Sequence, residues 1–232
     1  MLTDIFSALD PATNSFMNYH LLSMGMWMFN FMFLILVTST FWTLPSRMNL
    51  ILKMTTSILF YQASRTTGVL LKGFPMMLGS LFLMILIMNL HGLIPYSFSI
   101  TSHLIFTLIL GLTLWFAILL SSMTYKPTNF IGSLLPGGAP DWLNPFLVLI
   151  ETTSILVRPI TLSFRLAANM SAGHIVLSLM GIYTATAMMT SISTSMTLLI
   201  TQTGYMLFEV GICLVQAYIF TLLLSLYADD HS

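Results

Sequence analysis

Long apolar runs, each about the length of a bilayer crossing, leave this chain few ways to fold. A backbone in hydrocarbon must satisfy its N–H and C=O groups internally, so runs of about twenty apolar residues become helices. The 232 residues are 57% hydrophobic and 6% charged, against roughly a quarter charged in soluble domains. The expected fold class is an all-α integral membrane protein.

Breaks in the runs divide the chain. A first span is expected at roughly 21 to 44, ending before Pro45-Ser46-Arg47. The stretch from 46 to 73 mixes Leu, Ile and Phe with Arg47, Lys53, Arg65 and Lys72, and reads as an interfacial amphipathic helix. A second span runs from Phe74 to about Tyr96 and a third from Ser102 to about Tyr125, joined as a hairpin by PYSFSITSH. After a Gly/Pro-rich loop come apolar stretches at roughly 143 to 188 and 193 to 227, with the Thr/Ser/Met-rich junction TATAMMTSISTS between them. This makes about five spans in a single membrane domain, 1–232, with a functional hairpin at approximately 143–228.

The fourth stretch is too long for a perpendicular crossing. About 40 residues at 1.5 Å each reach roughly 60 Å, twice the hydrocarbon thickness, so the last two helices are expected to be long and steeply tilted as an antiparallel hairpin. Lys and Arg at 47, 53, 65, 72 and 126 fall in the connectors after spans one and three. The positive-inside rule turns those connectors to the cytoplasm or matrix, the N-terminus outward and the C-terminus inward.

Several classes drop out. No Lys/Arg cluster has the density that binds nucleic acid. Cys213 is the single cysteine, and Cys/His metal spacings are absent, so no metal or redox cofactor is expected. The first twenty residues hold no Lys or Arg, unlike a secretory or transit peptide, and suggest a protein made inside the organelle that houses it. No GxxxxGK[ST] phosphate loop occurs, so no nucleotide site is expected.

Four charges remain inside apolar stretches: Glu151, Arg158, Arg165 and Glu209, accompanied by Asn169, His174, Gln202 and Gln216. An ionisable group in a membrane costs roughly 2.5 to 3.5 kcal/mol on insertion scales, and marks a pathway or a paired structural site. Glu151, Arg158 and Arg165 recur every seven residues and share a helix face, with Asn169 at i+4 beside it. Gln202, Glu209 and Gln216 form a second stripe with the same spacing. With a turn near residue 190, Arg165 and Gln216 should lie at similar depth, as should His174 and Glu209 nearer the outside. Glu151 lies roughly 21 Å from Arg165 along the axis, toward the inside.

Around Arg165 the face is small: Thr161, Ala168 and Ala172 adjoin it, and Ser163, Ala167 and Ser171 make a second small ridge. Small residues let another helix approach closely. The plainer readings are an intramembrane salt bridge from Arg165 to Glu151, Glu209 or a carbonyl, a structural Arg158, and a hydrogen-bonded core His174. His20, His91 and His103 lie near span ends and read as interfacial.

The segments IETTSILVRPITLSFRLAANMSAGH, GYMLFEVGICLVQAYIFTLL and NLHGLIPYSFSITSHL resemble subunit a of the F-type ATP synthase membrane sector. The resemblance covers essentially the whole chain, and its most specific part is the ordered set Glu151, Arg165, Asn169, His174, Glu209 and Gln216. A histidine at 174 with an acid at 209, swapped relative to the bacterial pattern, resembles the mitochondrial type. This implies a non-catalytic stator proton channel in the mitochondrial inner membrane. Its implied partners are a rotating ring of small carboxylate-bearing subunits and the other membrane and peripheral-stalk subunits. His174 and Glu209 would belong to the outer half-channel and Glu151 to the inner one. Arg165 would be a fixed positive divider, Asn169 and Gln216 would position Arg165 or water, and Arg158 and Gln202 would support.

A self-contained proton or ion transporter is the main alternative, and requires a carrier carboxylate and an inverted repeat within the chain; neither is apparent. A respiratory haem or quinone subunit would need histidine pairs across spans. A passive scaffold leaves the aligned polar stripes unexplained.

Overall fold

The structure is a computed structural model that describes residues 9, 25, 27–32, 34–35, 47–66, 73–94, 97–125, 127–135 and 141–230. Most of the expected first span, together with Lys72, Lys126 and the segment 136–140, lies outside the described residues. Every regular element among those described is helical. The order is α1 Arg47–Ala63, α2 Phe74–Gly92, a 3-10 turn Ile100–Ser102, α3 Leu104–Tyr125, α4 Pro127–Ser133, a 3-10 turn Asp141–Leu143, α5 Asn144–Thr190 and α6 Ile192–Asp230. Four of them, α2, α3, α5 and α6, are long and apolar enough to cross a membrane.

The last two helices have 47 and 39 residues, so they reach roughly 70 and 60 Å. Helices this long fit a hydrocarbon layer of about 30 Å only by running steeply across it. They turn at Ser191, the one extended residue between them, whose N–H bonds the Ala187 carbonyl at 3.0 Å. The hydroxyls of Ser191 and Thr194 bond each other, and Thr194 Oγ1 also donates to the Ser191 carbonyl at 3.1 Å. The turn is thus closed by the Ser191 backbone N–H on the α5 end and by Thr194 Oγ1 donating back to the Ser191 carbonyl at the start of α6. Pro159 lies inside α5 without ending it.

Antiparallel pairing of α5 and α6 is joined by α2, which lies along the α6 side of the hairpin, and α3, which crosses α5. One core layer joins Leu59, Phe82, Leu86, Leu162, Leu166, Ala217 and Phe220; a second, toward the helix tails, joins Ala63, Phe74, Leu78, Ile118, Leu224 and Ala228. In lipid such layers hold by close packing rather than by escape from water. At Gly111 α3 comes so close that an added Cβ would stand 3.4 Å from the Pro159 carbonyl oxygen.

The surface-helix reading of 46–73 corresponds to α1, which presents three faces. Leu59 and Ala63 dock on the bundle, and Gln62 Nε2 donates to Tyr218 Oη at 2.6 Å. Ile51, Met54, Ile58 and Tyr61 form an exposed apolar stripe, and Lys53, Ser57 and Ser64 an exposed polar one. At the opposite end of the bundle the described part of the first span packs on the α2–α3 connector. There Asn30 Nδ2 donates to the Phe98 carbonyl at 2.7 Å, and the Trp27 ring stacks on His103 at 5.9 Å. His91, in the last turn of α2, meets Phe29 at 5.8 Å.

Candidate functional site

The polar residues singled out in the sequence gather along the α5–α6 seam and the adjoining face of α5. Asn169 Nδ2 donates to Gln216 Oε1 at 3.1 Å. Antiparallel pairing about Ser191 puts Arg165 one helical turn from this contact, so Gln216 bonds Asn169 rather than Arg165. Gln216 is 4% and Glu209 5% exposed, the two most deeply buried of the expected polar set.

Glu209 has a particular seat. Its carboxylate lies directly over Gly173 and fills the place where any side chain there would begin. Beside Gly173, His174 points its Nε2 toward α2: a Cβ added at Gly92 would stand 3.6 Å from it, 3.3 Å from Met170 Cε and 3.1 Å from Ser99 Cβ. Cys213 Sγ lies 3.7 Å from Met170 Sδ and 4.0 Å from the Asn89 carbonyl oxygen. Thus α2 supplies a third wall, and Asn89 in it is 0% exposed. His174 Nε2, Glu209 Oε2, Gln216 Nε2 and both polar side-chain atoms of Asn89 are buried without a hydrogen-bond partner. Buried polar atoms in this state are where structural water or a travelling proton is accommodated.

Glu151 and Arg158 pair with each other, at 3.8 Å between Oε1 and Nη2, with side chains 35% and 27% exposed. The Arg158 guanidinium also lies 5.2 Å over the ring of Tyr227, tying α5 to the end of α6. A partly exposed pair of this kind contributes little stability, about 0–1 kcal/mol. Gln202 is half-buried, closer to the turn than Glu209.

Arg165 differs from all of these. It is exposed, as are Thr161, Phe164, Ala168 and Ala172 on its side of α5, while Leu162, Leu166 and Met170 face inward. Among the described residues no carboxylate lies within ion-pair distance of it; Glu151 pairs with Arg158 instead. No group of three or more His, Cys, Asp or Glu able to hold a metal occurs among them either.

Known proteins share this sequence throughout its length. The family profile described as ATP synthase A chain matches residues 19–229. The chain belongs to the ATP synthase A chain family. That makes it a membrane-sector subunit of a multisubunit ATP synthase. It is 37% identical to ATP synthase subunit a of Locusta migratoria over 231 residues, covering 99% of each chain. It is 36% identical to that of Artemia franciscana over 230 residues, covering 99% of this chain and all of the relative. To the subunit a of Albinaria caerulea it is 47% identical over 152 residues, 65% of this chain and 70% of the relative.

Three participants escaped the sequence reading: Gly173, Gly92 and Asn89. Gly173 immediately precedes His174, and a glycine beside an ionisable residue on a packing face signals close approach. Asn89 is an amide inside an apolar run, a signal of the same kind as Asn169.

Proposed function

We propose that this chain is the stator proton channel of an F-type ATP synthase, forming two offset aqueous half-channels against a rotating ring of small subunits that each bear one buried carboxylate. The supporting observation is Arg165: a fixed cation, exposed on a small-residue face, with no carboxylate of its own among the described residues. Such a charge needs a counterion from another chain. A guanidinium keeps its proton, so Arg165 acts by field alone. Facing a ring carboxylate, it favours the ionised form and hence proton release. A protonated carboxylate can travel through lipid, whereas an ionised one leaves the arginine only at high cost, and direction follows.

His174 and Glu209, walled by α2, serve the outer half-channel; Glu151, with Arg158 beside it, serves the inner one. Asn169 and Gln216 fix the polar floor of the outer path next to Arg165, and Gln202 lies toward its mouth. The chain is non-catalytic and binds no nucleotide; its partners are the ring, the other membrane and peripheral-stalk subunits, and lipid. The His174/Glu209 arrangement and the animal relatives favour the mitochondrial inner membrane, with the N-terminus toward the intermembrane space and the C-terminus toward the matrix, and α1 at the matrix-side interface. The membrane field then supplies about 2.3 kcal/mol per proton per 100 mV.

Reconstituted complexes carrying Arg165→Ala test the reading. Coupled ATP synthesis should be lost with the complex still assembled; normal coupled synthesis would overturn it. A cross-link between an engineered cysteine at Ala168 and a small ring subunit should form, and its failure would favour the self-contained transporter.

A further inference from the structure

The seam between α5 and α6 changes character at Gln216. On the side toward Ser191 it holds the unpartnered polar atoms of Gln216, Glu209 and His174, with Asn89 beside them. On the other side Leu162, Leu166, Ala217, Phe220 and Leu224 are each at most 2% exposed and pack on one another and on α2. Polar groups do occur on that side, but the hydroxyls of Ser163, Thr221 and Ser225 donate back to their own helices. Ser163 Oγ bonds the Ile160 carbonyl at 2.8 Å, Thr221 Oγ1 the Tyr218 carbonyl at 3.0 Å, and Ser225 Oγ the Leu222 carbonyl at 2.8 Å. Tyr218 Oη receives Gln62. Beyond them stands Arg158 over Tyr227.

Proton transfer needs a continuous hydrogen-bonded file. Unpartnered polar atoms recruit water, while a close-packed apolar layer whose few hydroxyls are turned back onto their own helices stays dry. A file entering from the turn side therefore stops at the Asn169–Gln216 bond. It cannot continue down the seam to the helix tails.

We propose that Leu162, Leu166, Ala217 and Phe220 form an internal proton seal, closed at its far end by the Arg158 cation, which keeps the outer half-channel from running straight through this chain. The inference rests on the stator reading and assigns it a second barrier. Arg165 blocks the route along the ring-facing surface; the seal blocks the route inside the hairpin. Protons are thus forced sideways onto the ring carboxylate.

The two routes separate when the ring carboxylates are capped with a hydrophobic carbodiimide. Capped parent complexes in vesicles should show only background passive proton flux under an imposed potential. Capped Leu166→Asn, nearly isosteric but polar, and capped Phe220→Ala, which opens a cavity in the facing helix, should each conduct at least several-fold above it. Flux as low as the capped parent in an assembled variant overturns the seal. So does a leak that capping abolishes, because it then runs through the ring. A gentler arm uses Ala217→Cys with Cys213→Ser: the thiol at 217 should resist a small hydrophilic thiol reagent from either side of the membrane, and rapid labelling overturns the dry seam. Should uncapped parent complexes show no ring-dependent conduction, the stator reading fails, while the capped leak remains separately readable.

Discussion

The carboxylate of Glu209 rests on the bare Cα of Gly173, so one helix supplies the charge and the other supplies its seat. Because the obstructing group is the far end of a flexible side chain, a methyl group at 173 should displace the carboxylate and leave the helices in place. Gly173→Ala complexes should assemble normally and conduct protons more slowly, on the order of tenfold or more, since small misplacements of reacting groups carry penalties of this size. ATP-driven proton pumping in vesicles measures it, and full pumping would show that the seat is dispensable.

The Asn169–Gln216 bond predicts a non-additive pair. Replacing Asn169 with leucine strands the buried Gln216 amide and should cost about 1–3 kcal/mol. Replacing Gln216 strands only the exposed Asn169 amide and should cost less, while replacing both removes the orphan and should cost less than the sum. Thermal dissociation of the four complexes gives the cycle. Strict additivity would mean that the two side chains do not act together.

Glu209→Gln and Glu151→Gln should slow opposite ends of one path. On the proposed reading each removes a proton-exchanging group, and losses on the order of a hundredfold are ordinary for such groups. Raising the proton concentration on the outer side should relieve the Glu209 variant in part and leave the Glu151 variant unrelieved. Equal relief of both would break the assignment of the two carboxylates to separate half-channels.

Besides the packing of Leu59 and Ala63, docking of α1 draws on the side-chain bond from Gln62 to Tyr218. Tyr218→Phe should weaken it by about 0.5–1.5 kcal/mol. Limited proteolysis near Ser64 and Arg65 should then accelerate, and unchanged cleavage would show that Leu59 and Ala63 suffice.

What a sequence reader could find here depends on which forces are periodic. Seven-residue spacing along a helix puts Glu151, Arg158 and Arg165 on one stripe, and the Thr/Ser-rich junction marks the turn; both are local properties and both were legible. The pairing register follows from the turn to within about one helical turn, which is why Gln216 was expected level with Arg165 and meets Asn169 instead. Nothing local announces α2 as a wall of the site. Gly92 matters through packing across some eighty residues of sequence, Asn89 through a contact with Cys213 across 124, and Gly173 through the length of a glutamate side chain on another helix. Arg165 was legible as a position, but that it has no carboxylate partner among the described residues emerges only from the three-dimensional arrangement.

On the proposed stator reading the chain would have to resist sideways force from a turning ring, and α5 offers it one helix of 47 residues. Its mechanical weak point is Pro159, where a backbone hydrogen bond is missing. There α3 lies against it at Gly111 like a splint. Support from a neighbouring helix thus falls at the place where the rod alone would bend most easily, on the stretch of α5 between Glu151 and His174.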